Sequence, residues 1–240
     1  MVKNILIKSG SHNINLHTNG IDHPKKIIVC LHGFNGDLWG DGFSKLKNAF
    51  NNILVCSFDS AGHANSEVKS LDMRLDLINQ ELTDVLNYLT KVYPVTPITL
   101  LGFSYGGYRA MLCVAKNNFK NLEHLVLINP ALNMLKTIEI AKGFKYSDLK
   151  PDSKIAMKES LNKYLCKDFI DDLYYNNLYE LKYEHKIPLK IFKGKYDSLI
   201  SIADTLEFAK TYPFDIEYLE EDHLVKKTES WQKIINFLKI

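Results

Sequence analysis

Three residues that together could activate a nucleophile lie far apart in the chain. Ser104 stands at the centre of Gly-Phe-Ser-Tyr-Gly, directly after an apolar run at residues 98–101. A serine hydroxyl is a poor nucleophile at neutral pH unless a base accepts its proton and an acceptor orients that base. His223 and Asp197 could supply the base and the acceptor, and each follows another apolar run. Their order along the chain, Ser, Asp, His, predicts nucleophilic chemistry on Ser104.

The glycines around Ser104 predict a sharp turn from a strand into a helix. Gly102 and Gly106 stand two residues before and two residues after the serine. A Cβ atom at either position would block the close approach of strand and helix. From Tyr108 onward the apolar residues follow helical spacing. So short a motif has a structural alternative, in which Ser104 is only a serine near a helix N-terminus.

Strand patterns alternate with helical patterns along most of the chain. Apolar runs that predict strands lie at residues 27–31, 53–58, 98–101, 125–128, 188–192 and 215–219. Helical spacing of apolar residues predicts a long helix from about residue 71 to residue 92. Because each parallel return needs a crossover, this alternation predicts a parallel sheet covered by helices. Loops that follow parallel strands open on one edge of the sheet, so Ser104, Asp197 and His223 are expected to meet there.

The alternation lapses between residues 131 and 186. Here the sequence indicates helical segments rich in tyrosine and phenylalanine, with no buried strand. We expect this part to form a helical cap over the strand ends, whose tyrosines either line the site or only pack the cap onto the body. Residues 1–240 suit one α/β domain carrying this cap, and residues 4–8 and 13–18 suit an antiparallel hairpin at the sheet edge.

Charge and composition exclude several classes of function. The formal net charge is +2 and the lysines are scattered, which does not suit a nucleic-acid-binding surface. No apolar run has the length of a signal peptide or a membrane span. The four cysteines form no Cys-x-x-Cys pair, which favours free thiols over disulfides or a zinc site. A cytoplasmic location is predicted.

The motif around Ser104, the His-Gly-Phe loop at residues 32–34 and the loop at residues 59–66 resemble those of the α/β-hydrolase-fold serine esterases. The similarity extends from about residue 27 to residue 223. Within this fold the chain is most similar to the bacterial cinnamoyl/feruloyl esterases and the monoacylglycerol-lipase-like hydrolases. The resemblance implies a mostly parallel eight-stranded sheet with helices on both faces and a small helical cap.

The resemblance also implies a role for each candidate residue. Ser104 is expected to be the nucleophile, His223 the base and Asp197 the acid that orients the base. The backbone amides of Phe34 and Tyr105 are expected to form the oxyanion hole. Neither a cofactor nor a metal ion is expected.

Other polar residues offer alternatives and departures. His32 is expected to brace the oxyanion loop, and His63 either braces its own loop or walls the acyl pocket. Asp222 lies next to the base, but an adjacent side chain usually points elsewhere, so Asp197 is preferred as the acid. Ser60-Ala61 stands where relatives often carry an arginine, so any structural ion pair made by that arginine is missing here.

The expected reaction is hydrolysis of carboxylic esters of small to medium apolar or aryl acyl groups through an acyl-serine intermediate. A thioesterase, a monoglyceride lipase or a small peptidase would use the same three residues. A non-catalytic, ligand-binding protein of the same fold is the alternative from another class. A small-molecule ester is the expected partner, nucleic acid is not, and a homodimer is left open.

Overall fold

An eight-stranded sheet forms the centre of the protein in the computed structural model, which describes residues 2–158 and 163–239. Its strands, β1 to β6 followed by β9 and β10, are Lys3–Ser9, His12–Thr18, Lys26–Leu31, Ile53–Ser57, Ile98–Phe103, Leu122–Ile128, Leu189–Gly194 and Asp215–Leu219. They lie in the order β1-β2-β4-β3-β5-β6-β9-β10. The hairpin of β1 and β2 joins the sheet antiparallel, and the other neighbours pair in parallel. The prediction of a mostly parallel eight-stranded sheet is confirmed.

Helices cover both faces of this sheet. The α-helices of the described residues, α1 to α7, are Asp41–Leu46, Leu75–Val92, Tyr105–Lys116, Met134–Lys142, Lys167–Tyr175, Ile202–Glu207 and Thr228–Leu238. Successive side chains of a strand point to opposite faces. In β3, Ile27 and Val29 therefore pack in the core under α2 and α3, whereas Ile28 packs in the core under α1 and α7. This two-sided burial explains the continuous apolar runs of the central strands.

Two helices begin at residues other than those that the spacing predicts. Helix α3 begins at Tyr105 rather than Tyr108, because its first turn contains two glycines whose low helix propensity hides the start. Helix α2 begins at Leu75, after a short 3₁₀ turn, rather than at Leu71. Leu71 is exposed and does not belong to the buried stripe of α2.

The expectation of helices alone between residues 131 and 186 is wrong. This part contains α4 and α5, but also an antiparallel hairpin of β7, Lys154–Lys158, and β8, Lys163–Cys166. The strands are short, and only their alternate apolar residues, such as Ile155 and Leu165, are buried. So brief an alternation between lysines gives a weak strand signal. Residues 159–162, between the two strands, lie outside the described part of the chain.

The described cysteines and helices bear on two further expectations. Cys30, Cys56 and Cys113 are buried free thiols, as the sequence predicts. No helix within residues 2–158 and 163–239 is long and apolar enough to cross a membrane.

The close contact between β3 and α3 generates a prediction about Gly106. A Cβ atom there would lie 2.1 Å from the carbonyl oxygen of Leu31, which is fixed in the central strand. Helix propensity alone would favour alanine by up to about 1 kcal/mol. We nevertheless expect Gly106→Ala to lower the free energy of unfolding by at least about 3 kcal/mol, the upper end of usual overpacking costs. Urea denaturation would measure the loss.

Gly143→Ala is the control for this substitution. Gly143 is the C-cap of α4, with no heavy atom within 4 Å of an added Cβ and a φ of +68°. Its variant should lose only the cost of a left-handed conformation, about 1–2 kcal/mol. A Gly106→Ala protein as stable as Gly143→Ala would contradict the close contact.

Candidate active site

Ser104 occupies a strained turn between β5 and α3. Its φ is 48° and its ψ is −112°, a conformation that residues with a Cβ atom rarely adopt. The Ser104 amide donates to the carbonyl of Ile128, and the Ser104 carbonyl accepts from the amide of Ala131, each at 3.0 Å. A Cβ atom on Gly102 would lie 2.6 Å from the backbone of Gly106, and one on Gly106 would lie 2.1 Å from the Leu31 carbonyl oxygen, so both glycines are required for the turn. Backbone strain of this kind concentrates at functional sites.

The imidazole of His223 is held by Asp197. Its Nδ1 lies 3.1 Å from each carboxylate oxygen of Asp197. Asp197 follows β9 and is fully buried at its side chain, whereas the ring of His223 is about one fifth exposed. The carboxylate of Asp222 instead accepts from the amide of Leu224 at 2.7 Å and closes its own turn. Geometry thus favours Asp197 over Asp222 as the partner of His223.

Ser104 and His223 line the same cavity. Within the described part of the chain, no hydrogen bond joins the Ser104 hydroxyl to the His223 ring. Such contacts are often long before a substrate is bound and tighten in the complex. The structure therefore joins Asp197 and His223 directly and places Ser104 on the cavity that His223 lines.

Lys193 is a buried cation beside this pair. Its Nζ donates to Asp197 Oδ2 at 2.5 Å and to the Ile200 carbonyl at 2.8 Å. Burial alone would raise the pKa of Asp197, but the hydrogen bonds from His223 and Lys193 outweigh it and hold that pKa below its usual range. Asp197 is thus an ionised acceptor near neutral pH.

Asn129 ties together the loops that carry Asp197 and His223. It follows β6 with a φ of 45° and is buried. Its Nδ2 donates to the carbonyls of Asp222 and His223 at 3.0 and 2.9 Å. Its Oδ1 accepts from the amide of Gly194 at 2.7 Å. One amide side chain therefore bonds to the backbone at the ends of two different strands.

The loop after β3 fixes the orientation of the Phe34 amide. The Gly33 carbonyl accepts from His32 Nδ1 at 2.8 Å and from the Gly36 amide at 3.0 Å. In a trans peptide the C=O and the following N–H point in opposite directions, so fixing the Gly33 carbonyl also fixes the Phe34 N–H. That N–H donates to no acceptor within the described residues.

The second candidate donor is the amide of Tyr105. It is the first amide of α3, one of those that have no carbonyl partner within a helix. A Cβ atom on Gly33 would lie 3.6 Å from the Cβ of Ser104, which shows how closely the loop after β3 approaches the serine. Both candidate donors therefore flank Ser104.

Buried histidines form polar contacts in the loop after β3 and in the neighbouring loop at residues 59–66. Burial lowers the pKa of His32, so its ring is neutral and its Nε2 accepts from the Ser60 amide at 3.1 Å. His63 is likewise buried, with its pKa lowered to about 4 and its Nδ1 3.0 Å from the Ala61 carbonyl. His63 braces its own loop and does not line the cavity.

Glu81 of α2 binds the Ser60-Ala61 segment, which itself contains no arginine. Its carboxylate accepts from the Ser60 hydroxyl at 3.2 Å and the Ala61 amide at 2.9 Å, and it lies 2.9 Å from His12 Nε2. The guanidinium of Arg109 is buried nearby, against the rings of Phe58 and Tyr105. Hydrogen bonds to Glu81 thus hold the loop at Ser60 and Ala61.

The cavity has a volume of about 420 Å³, a size typical of small-molecule sites. Its apolar walls include Phe34, Phe43, Phe103, Ile128, Met134 and Ile138. Among the described residues that line it, Asp37 alone carries a carboxylate. No group of three or more His, Cys, Asp or Glu within residues 2–158 and 163–239 is placed to hold a metal ion.

One wall of the cavity belongs to α4, and this wall is tied to the loop after β3. The carbonyl of Met157 in β7 accepts from Asn35 Nδ2 at 3.1 Å and from Lys142 Nζ at 3.0 Å. Asn35 is the residue after Phe34, and Lys142 ends α4. The hairpin of β7 and β8 therefore joins the α4 wall to the loop that carries the Phe34 amide.

Three residues of the site were not predicted, namely Lys193, Asn129 and Glu81. Each leaves a signal in the sequence, because each is a polar residue in an otherwise apolar pattern. Lys193 interrupts the run of β9, Asn129 ends that of β6, and Glu81 falls within the apolar stripe of α2. Polar residues at such positions are retained where a buried partner satisfies them.

Comparisons with known proteins agree with this fold. A family model described as serine aminopeptidase, S33, matches residues 22–232. The chain is similar to Est1E from Butyrivibrio proteoclasticus, solved with ferulic acid bound, at 20% identity and a TM-score of 0.81 over 98% of this chain and 97% of that one. A search of curated protein sequences gives no match.

Two other solved structures share the fold. Alpha/beta hydrolase domain-containing protein 10 from mouse is 15% identical, with a TM-score of 0.77 over 99% of this chain and 97% of that one. An esterase from Pyrococcus furiosus is 22% identical, with a TM-score of 0.71 over 100% of this chain and 92% of that one. With the family match, these similarities identify an α/β hydrolase.

The contacts of Asn129 generate a prediction about the order of the site. Asn129→Ala removes its bonds to the loops of Asp197 and His223, so we expect Ser104 to react with a fluorophosphonate at least about tenfold more slowly. Asn121→Ala is the control, because the buried amide of Asn121 donates to the Tyr93 carbonyl at 3.1 Å, away from the cavity. Equal labelling rates in the two variants would contradict a positioning role for Asn129.

Proposed function

The chain belongs to the serine aminopeptidase S33 family, and we propose that it is a serine esterase acting on small to medium apolar or aryl acyl groups. One observation carries the proposal. Ser104 is held in a strained turn on the same cavity as His223, whose ring is fixed by the ionised carboxylate of Asp197. Nucleophile, orienting acid and base follow one another in the chain order of α/β hydrolases.

In the proposed reaction, His223 accepts the proton of Ser104 as the serine oxygen attacks the ester carbonyl. Asp197 fixes the Nδ1–H tautomer, so Nε2 is free to act as the base. The same ring then gives that proton to the leaving alcohol, and an acyl-serine remains. Water, activated by His223, attacks the acyl-serine and releases the acid.

The oxyanion is proposed to bind the amides of Phe34 and Tyr105. The unpaired Phe34 N–H and the position of the Tyr105 amide at the start of α3 support this assignment. Removing one such donor typically costs about 100- to 1,000-fold in rate. Because both donors are backbone groups, the fold rather than any side chain would set their geometry.

The substrate class is inferred from the walls of the cavity. Aromatic and aliphatic side chains dominate its lining, and such walls favour an apolar acyl or aryl group. Est1E, which shares the fold, binds ferulic acid in its solved structure. Hydroxycinnamate esters are therefore one candidate, tested beside aliphatic esters of increasing chain length.

Peptide hydrolysis is a second candidate, because the family model is described as a serine aminopeptidase. An aminopeptidase must hold the ammonium group of its substrate, usually with carboxylates. Asp37 is the carboxylate on the cavity, and it is exposed at its edge. Turnover of aminoacyl p-nitroanilides above that of p-nitrophenyl esters would favour the peptidase.

A fluorophosphonate probe tests the class of the protein. We expect the folded protein to be labelled at Ser104, and Ser104→Ala to abolish labelling and ester turnover, because among the described residues no other hydroxyl shares its position beside His223. Mass spectrometry of the labelled peptide and hydrolysis of p-nitrophenyl butyrate would measure both.

Ser57→Ala is the matched control for this experiment. Ser57 also lines the cavity, but its hydroxyl donates to the Cys30 carbonyl at 3.0 Å. This variant should keep its label. A folded wild-type protein that takes up no probe would instead indicate the non-catalytic, ligand-binding class.

The α4 wall generates a prediction about chain length. Ile138 is buried and lines the cavity, so Ile138→Ala should move the preferred p-nitrophenyl ester to a longer acyl chain. A gain or loss of one methylene contact changes relative kcat/KM by about 10-fold or more. Ile140→Ala, on the exposed side of the same helix, should leave the preference unchanged. An identical chain-length profile in both variants would show that Ile138 does not contact the acyl group.

A further inference from the structure

Lys193 is a lysine whose side chain is fully buried near the end of β9. Burying an ammonium group is costly unless each of its protons finds an acceptor. Lys193 Nζ donates to Asp197 and to the Ile200 carbonyl, and it lies 3.4 Å from Asn129 Oδ1. The three donors of the ammonium group therefore have three acceptors, all within the loops that form the site.

Both carboxylate oxygens of Asp197 have hydrogen-bond partners in the same group of residues. Oδ1 accepts from the amides of Leu199 and Ile200 at 3.1 and 3.0 Å. Oδ2 accepts from Lys193, and Nδ1 of His223 lies at equal distance from both oxygens. Lys193 and His223 thus share one negative charge.

We propose that Lys193 is a positioning residue that holds Asp197 and, through its own positive charge, limits how strongly Asp197 favours protonation of His223. This inference rests on the proposed function, in which His223 must be neutral to accept the proton of Ser104. A cation beside Asp197 opposes the imidazolium form and keeps the base active at lower pH. The buried ammonium therefore widens the pH range of the enzyme on its acid side.

The other charged groups on the adjoining elements are paired elsewhere. Lys195, in the same loop as Asp197, pairs with Glu220 at the surface. In the loop after β10, Glu221 accepts from the amide of Lys227, and Asp222 accepts from that of Leu224. From β6, the group that faces Lys193 is the neutral amide of Asn129. Lys193 is thus the cation in direct contact with Asp197.

The pKa directions agree with a shared charge. Burial lowers the pKa of Lys193, and the hydrogen bond and charge of Asp197 partly offset that effect. The hydrogen bond from Lys193 in turn helps to lower the pKa of Asp197. Each partner stabilises the ionised form of the other.

Lys193→Met tests the proposal, because it removes the charge and keeps an unbranched apolar side chain. The readout is the rate of Ser104 labelling by a fluorophosphonate between pH 5 and 9, as this rate requires no knowledge of the natural substrate. We expect the acid midpoint of the profile to move upward by about one pH unit, since a neighbouring charge shifts a titration by about that much or more. Below both midpoints, labelling should fall about tenfold.

Lys195→Met is the matched control, since it removes a positive charge two residues away but at the surface. Its acid midpoint should stay where the wild type has it. A Lys193→Met profile that drops at all pH values without moving its midpoint would overturn the proposal and leave Lys193 a structural residue. Lys193→Gln, which is neutral but keeps a donor, should shift the midpoint as Lys193→Met does.

NMR separates this proposal from the proposed function. In protein labelled with ¹⁵N-histidine, the His223 ring, assigned with His223→Gln, should titrate at a higher pH in Lys193→Met than in the wild type. That result does not depend on catalysis, so an unlabelled Ser104 would refute the esterase and leave the Lys193 test intact.

A wild-type measurement covers the case in which neither Lys193 variant folds. In protein labelled with ¹⁵N-lysine, the Nζ resonance of Lys193 should change with the same midpoint as the His223 ring. A Lys193 resonance that does not respond to this titration would overturn the proposal.

Discussion

Backbone packs directly against backbone where α3 crosses β3, and no side chain fits between them. A Cβ atom on Gly106 would lie 2.1 Å from the Leu31 carbonyl oxygen. This contact fixes the start of α3 against the end of the central strand, so the Tyr105 amide and the loop with the Phe34 amide lie on either side of Ser104. The positive φ of Ser104 is a result of this constraint, because the chain must reverse within one residue. Every other element of the site is arranged around that reversal.

Three loops, after β6, β9 and β10, are held together by buried polar side chains rather than by apolar packing. Asn129 bonds to the backbone of two of them, and Lys193 and Asp197 form an ion pair that is completely buried. A buried ion pair contributes little net stability compared with apolar residues of the same size, because both charges lose their hydration. Its persistence here agrees with a role in orienting the His223 ring, which an apolar pair could not perform.

The sequence predicts the sheet and the residues at its strand ends because apolar runs, glycines and turns are local signals. Ser104, Asp197 and His223 each follow such a run, so their common edge follows from parallel topology alone. The β7–β8 hairpin escapes prediction because five residues of alternation between lysines are a weak pattern. Lys193 and Glu81 escape because single polar residues in apolar runs acquire meaning only from partners distant in sequence, such as Ala61 for Glu81. Those partnerships are three-dimensional and have no fixed spacing.

The Met157 carbonyl, which accepts from both Asn35 and Lys142, has a mechanical consequence. A carbonyl that accepts from two donors links the two segments that supply them, so movement of one segment affects the other. Displacing α4 outward to admit a bulky ligand would shift Lys142 and the Met157 carbonyl that it binds. The displacement would then act on Asn35, the residue next to Phe34. Outward movement of the α4 wall and alignment of the Phe34 amide are therefore coupled, and a ligand that displaces α4 does so at the expense of that alignment.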